Sequence, residues 1–158
     1  MHTIMKPAPA FVMKKQLLTI PFFGWTLANA TNIAIDRDTG STSLKIIIKK
    51  SKEYLKEGHN IIIFPQGTRV PNNSTVEEYP YKIGFVVLAK ELKVDVVPIA
   101  LNSGKYWSKK QFLKYPGTIR MEVMDPIKYE DIKKMKNKEI FKTIETLIED
   151  KSKELNNF

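Results

Sequence analysis

The chain has no cysteine, which excludes disulfides, thiolate metal sites and cysteine nucleophiles. Histidine is nearly as scarce: His2 and His59 are the only two, so zinc sites built on histidine pairs at helical spacing are out as well. Among 26 basic residues only Arg37, Arg69 and Arg120 are arginines. Where lysine is the default cation, an arginine points to a place that needs a planar, bidentate fork. Long apolar runs are missing too. The nearest approach to a membrane span, Gln16 to Ile35, is interrupted by Pro21, Gly24, Asn29 and Asn32, whereas a spanning helix needs about 20 mostly apolar residues. The opening MHTIMKPAPA does not carry the continuous apolar core of a signal peptide.

What is present is enough for one core. A length of 158 residues with 42% hydrophobic side chains fits a single domain over 1–158. The net charge of +9 suits a polyanionic partner: nucleic acid, an anionic membrane surface or a phosphorylated substrate. A lysine-rich solvated surface would give the same number. The aromatic cluster Ile20, Phe22, Phe23 and Trp25 could rest on a bilayer or pack in the core.

Strand-like and helix-like segments alternate. AFVMK (10–14), NIAIDR (32–37), NIIIFP (60–65), VDVVPIAL (94–101) and TIRMEVM (118–124) are short and β-rich. Between them, Leu44, Ile47, Ile48, Tyr54 and Leu55 share one helical face that ends at Gly58, and a second helix is expected over 82–92. A last helix from about Lys138 carries Ile140, Phe141, Ile144, Leu147, Ile148 and Leu155 as its apolar stripe. Strands separated by helices predict an α/β fold: a largely parallel central sheet with helices on both faces. Pro98 inside the fourth run marks an edge strand, a bulge or a strand end.

In such sheets ligands sit beyond the carboxyl ends of the strands. The third run stops at Pro65, Gly67 frees the backbone for a tight turn, and Thr68 and Arg69 follow. The second run delivers Arg37 to the same edge. Two guanidinium groups, a hydroxyl and backbone amides beside a glycine make a cradle for a phosphate monoester. In the competing reading Arg37 pairs with Asp36 or a helix carboxylate, and QGT is only a turn. Neither G-x-x-x-x-G-K-[ST], G-x-G-x-x-G nor G-x-S-x-G occurs.

The order IAIDR, IIIFPQGTR, VPIALNSG resembles the second to fourth sequence blocks of the glycerolipid acyltransferases, specifically the bacterial 1-acylglycerol-3-phosphate (lysophosphatidic acid) acyltransferases. FPQGTR behind an apolar strand is the specific signal. The resemblance implies a peripheral enzyme of phospholipid biosynthesis on the cytoplasmic face of the bacterial inner membrane. It would move a fatty acyl group from acyl carrier protein or coenzyme A onto lysophosphatidate, with no permanently bound cofactor. By the same resemblance Arg37, Gly67, Thr68 and Arg69 would grip the substrate phosphate, Lys14 would add charge near it, and Gln66 and Pro98 would shape the pocket. Residues near Phe22, Phe23 and Trp25 would face the acyl chain or lipid. The family usually has glutamate where this chain has Gln66.

A second departure is larger. The family uses an H-x-x-x-x-D block, in which histidine takes the proton of the attacking hydroxyl and aspartate orients it. Here Pro7 stands five positions after His2, and Phe64 five after His59. His59 would also lie at the amino end of its strand, about 20 Å from Pro65 at roughly 3.3 Å per residue. No catalytic residue is therefore assigned. The chain reads as truncated at its N-terminus relative to the family, with a phosphate grip, no base, and little or no turnover expected. The alternative is a non-catalytic module for anionic lipid or a membrane surface. Nucleic-acid binding ranks last, since no recognition helix or row of strand aromatics is visible.

Overall fold

The computed structural model describes residues 7–36, 40–71, 74–107 and 112–157. They form two compact units, one reaching to Phe64 and one beginning at Pro65.

In the first unit β1 (Ala10–Lys14), β2 (Asn32–Ile35) and β3 (Ile61–Ile62) make a parallel sheet in the order β2-β1-β3. Phe11 stands opposite both Asn32 and Ile62, and Lys14 opposite Ile35. Ala10, Met13, Ile33 and Ile35 are buried. A parallel β2–β3 connection needs a long crossover, and α2 (Ser41–Lys56) supplies it, packing on both strands. Its half-buried face carries the expected Leu44, Ile47, Ile48, Tyr54 and Leu55. The deepest positions are small, Ser43 and Ser51, which lets the helix backbone sit close to the sheet. Gly58, at φ 84°, takes the left-handed conformation just past the helix end.

Between β1 and β2 the chain forms a 3-10 turn (Lys15–Thr19) and the short helix α1 (Phe23–Ala28). Gly24 is obligatory here: a Cβ on it would lie 2.0 Å from the carbonyl oxygen of Leu18.

The second unit is built on α3 (Gly84–Leu92), α5 (Tyr129–Ile132) and α6 (Asn137–Asn156). Val86, Ile132, Ile140 and Ile144 form its core, flanked by Phe85 stacked on Phe141 with centroids 5.8 Å apart. Each such side chain contributes about 1.5–3 kcal/mol on full burial. Strands β4 (Ile99–Leu101) and β5 (Met121–Val123) pair antiparallel, with Leu101 opposite Met121. The helix between them, α4 (Ser103–Tyr106), has four residues.

The α/β class with a parallel sheet stands. The parallel order belongs to β1–β3, whereas β4 and β5 pair antiparallel because no crossover helix separates them. Pro98 is buried immediately before β4, and its carbonyl accepts the Met124 N–H at 3.0 Å. Of the three options for this proline, the structure has the strand end. The third strand is shorter than expected: its ladder closes at Ile62, before Pro65 is reached.

Candidate functional site

The carboxyl edge of the parallel sheet is set by the register. Lys14 ends β1 directly opposite Ile35, the last residue of β2. Asp36 follows, and its carbonyl accepts a hydrogen bond from the Ser43 hydroxyl at the start of α2. This bond anchors the exit of β2 to the helix that follows. Arg37, the next residue and a predicted phosphate ligand, lies outside the described residues, as does His2.

Along β1, from Phe11 to Lys14, the first unit holds an open apolar groove of about 410 Å³. Leu17, Phe23, Leu27 and Phe64 line it together with flanks of β1, and Lys14 is the one charged residue in its wall. Sequence reasoning named Phe23 but missed Leu17, Leu27 and Phe64. The two leucines face the same way only because Gly24 lets α1 fold back onto the 3-10 turn. A groove with apolar walls and one ammonium group suits a single-chain amphiphilic anion: the chain against the leucines and aromatics, the charge toward lysine.

Directly after Phe64 in sequence, Pro65 to Thr68 make a turn in which Gly67 adopts φ 68°. That conformation is strained for any side chain. The turn is held by its start, since the Pro65 carbonyl accepts the Lys82 N–H at 3.0 Å. Gln66, Gly67 and Thr68 are half-buried. Arg69 is exposed and pairs with no carboxylate among the described residues. Consecutive backbone amides around a left-handed glycine, followed by a guanidinium group, form the kind of concavity that takes an anion.

His59 is accounted for differently. It is partly buried, and its Nδ1 lies 2.7 Å from the carbonyl of Ala8, tying the amino ends of β1 and β3. Nε2 lies 3.6 Å from a Glu57 carboxylate oxygen. Both partners are at the edge opposite to Lys14, so His59 is structural. Pro98 is buried beneath β4, in the second unit. Beside it the sequence contained a structural residue that had no chemical signal, Asn102. Its amide donates to the Leu155 carbonyl at 3.1 Å, and its oxygen accepts the Arg120 N–H at 2.8 Å.

The first unit is thus a parallel sheet with an apolar groove along β1 in which Lys14 is the one charged lining residue. The acyltransferase family model matches residues 1–102, and the chain belongs to that family. It is 43% identical over 112 residues to a 1-acyl-sn-glycerol-3-phosphate acyltransferase of Pseudomonas aeruginosa, covering 71% of this chain and 42% of that protein. A Bacillus subtilis protein of the same name is 31% identical over 151 residues, covering 93% of this chain and 68% of the relative. The crystal structure of the 1-acyl-sn-glycerophosphate acyltransferase PlsC from Thermotoga maritima has the same fold: the TM-score is 0.73 at 20% identity, over 94% of this chain and 57% of that one. The chain thus spans 42% and 38% of the Pseudomonas and Cocos nucifera relatives, less than half of either.

Proposed function

We propose that this chain carries the acyl-acceptor site of a 1-acylglycerol-3-phosphate acyltransferase, in which a fatty acyl group passes from an acyl thioester to lysophosphatidate. The observation that carries this reading is the turn from Pro65 to Arg69. It is a left-handed glycine turn leading into an exposed arginine that pairs with no carboxylate among the described residues, and it lies in the stretch shared with the family. Arg69, with the backbone amides around Gly67 and the Thr68 hydroxyl, takes the phosphate monoester. Lys14 and Arg37 are the further cations assigned to that role. Gln66 is neutral where a carboxylate would repel the anion, and Pro98 stiffens the entry to β4. Taken by itself, the first unit offers the groove of Leu17, Phe23, Leu27 and Phe64 as an apolar surface for an acyl chain.

In the reaction, the free hydroxyl of lysophosphatidate attacks the thioester carbonyl. The C–O bond forms, the C–S bond breaks, and the hydroxyl proton leaves through a base while the thiolate is released and protonated. A hydroxyl is a poor nucleophile until that proton is taken. His59 does not supply the base, being bound to Ala8 at the far edge of the sheet. The same observation favours the second reading, a non-catalytic module that binds anionic lipid. In either reading the work is done at a membrane surface, as the lipid in the relatives' names suggests; among the described residues no helix is long and apolar enough to cross a membrane.

One assay separates the two readings. The polypeptide is given lysophosphatidate and, in parallel, acyl-CoA or acyl carrier protein thioester. We expect binding of lysophosphatidate, with turnover far below that of a full-length relative. Comparable turnover overturns the assignment of His59 as structural. Absence of binding removes the acceptor site.

A further inference from the structure

The turn that carries Arg69 is held from outside through Pro65, whose carbonyl accepts the Lys82 N–H at 3.0 Å. The Lys82 side chain is exposed, so it does not decide where that N–H points. The residue before it does. The N–H belongs to the planar peptide group that begins at the Tyr81 Cα, and fixing Tyr81 therefore fixes the donor. Tyr81 is 7% exposed, and its hydroxyl donates to Glu149 of α6 at 2.9 Å. On the other side of Lys82, Ile83 is 50% exposed and is held by its carbonyl, which accepts the Val86 N–H in the first turn of α3. All of these residues belong to the second unit.

The hydroxyl is the informative atom. A phenylalanine would fill the same space, and a single phenol–carboxylate bond of this kind adds only about 1 kcal/mol net. What the bond supplies is direction. The ring is buried and its tip is tied to α6, a helix whose Ile140 and Ile144 are buried in the core. A side chain held at both ends leaves its own backbone little freedom. The turn it supports needs that, because a glycine such as Gly67, at φ 68°, visits other conformations readily unless its surroundings fix it.

We propose that Tyr81 is a positioning residue for the anion-binding turn: tied to α6 by Glu149, it aims the Lys82 N–H that fixes Pro65, and so sets where the amides around Gly67 and the Arg69 side chain meet a phosphate. This role rests on the turn being the acceptor site. Tyr81 acts through the turn and not on the substrate. Charge-assisted bonds to phosphate depend on geometry, so a small displacement of the turn weakens several of them together.

The whole chain is titrated calorimetrically with short-chain lysophosphatidate and with the matching monoacylglycerol, at a temperature where circular dichroism shows every variant folded. Tyr81→Phe and Glu149→Leu should each weaken lysophosphatidate binding about three- to tenfold and leave the monoacylglycerol unaffected. The double variant should be no weaker than the weaker single one, because both remove the same bond. Glu149→Gln keeps an acceptor for the hydroxyl and should bind like the wild type. Asn102→Ala loosens the same unit elsewhere and should lose stability without losing affinity. In the unliganded protein the Lys82 amide should exchange faster in Tyr81→Phe and not in Asn102→Ala. Unchanged Lys82 protection in Tyr81→Phe, or affinity that follows stability across all the variants, overturns the positioning role. Binding that Arg69→Ala weakens and Tyr81→Phe does not overturns this role alone. A wild-type protein that does not bind lysophosphatidate overturns the acceptor site and this role with it.

Discussion

The two units expose apolar surface in opposite ways. In the first unit it lines a groove beside the sheet edge, with Leu17, Phe23, Leu27 and Phe64 around a single lysine. In the second, Phe112 and Leu113 stand exposed in the stretch before β5. A concave apolar surface selects a ligand by fit, whereas isolated exposed side chains define no shape to fit. The supporting cores differ to match. The first unit buries a few residues of a three-stranded sheet under one crossover helix. The second closes a helical core and then uses it to hold a ribbon and a loop.

The largest effect should come from breaking the second core. Ile140→Ala removes a side chain that is 1% exposed and should cost about 2–5 kcal/mol. Denaturant unfolding would measure it, and hydrogen exchange should rise first in α3, α5 and α6. Asn102→Ala comes next. It orphans the Leu155 carbonyl and the Arg120 N–H, and should cost about 1–3 kcal/mol, with fraying at the end of α6 seen by exchange. Gly67→Ala sharpens the comparison on the side of the turn. At φ 68° a side chain should cost about 1–2 kcal/mol and should weaken anion binding in the same calorimetric titration. A Gly67→Ala protein with unchanged affinity would mean the turn's conformation is irrelevant to the ligand.

The smallest effect is a pH dependence confined to the second unit. The Tyr81 hydroxyl donates to Glu149 at 2.9 Å, and burial together with that bond raises its pKa above the ordinary phenol value. A folded pKa above the unfolded one means the contribution is intact below about pH 10. It is lost as pH rises from there toward the folded value. Tyr81→Phe should lower stability near neutrality by about 1 kcal/mol and flatten the decline seen in alkaline unfolding.

Much of this was legible in the sequence, for identifiable reasons. The helix over Ser41–Lys56 announces itself because its apolar residues recur at helical spacing and a glycine follows. Helix α6 does so for the same reason. The end of β4's approach is marked by Pro98, and the turn after β3 by Pro65 and Gly67. What could not be read was anything that depends on partners distant in sequence. Asn102 looks like an ordinary polar residue until α6 folds back on it. Leu17, Leu27 and Phe64 become one wall only when α1 packs on the turn before it. The antiparallel pairing of β4 with β5 was readable in principle from the lack of a helix long enough to cross over between them, but strand periodicity alone does not give direction. Arg37 was placed on the same rim as Arg69 by the sequence pattern, and it lies outside the described residues.

The account rests on the turn after β3 holding a phosphate through Arg69. Isothermal titration of a short-chain lysophosphatidate below its micelle concentration, against the matching monoacylglycerol without phosphate, tests this directly. Arg69→Ala should weaken lysophosphatidate binding by about 10- to 100-fold, the loss expected for a charge-assisted pair worth about 1.5–3 kcal/mol. Affinity for the monoacylglycerol should not change. Equal lysophosphatidate affinity in the wild-type and Arg69→Ala proteins would contradict the account.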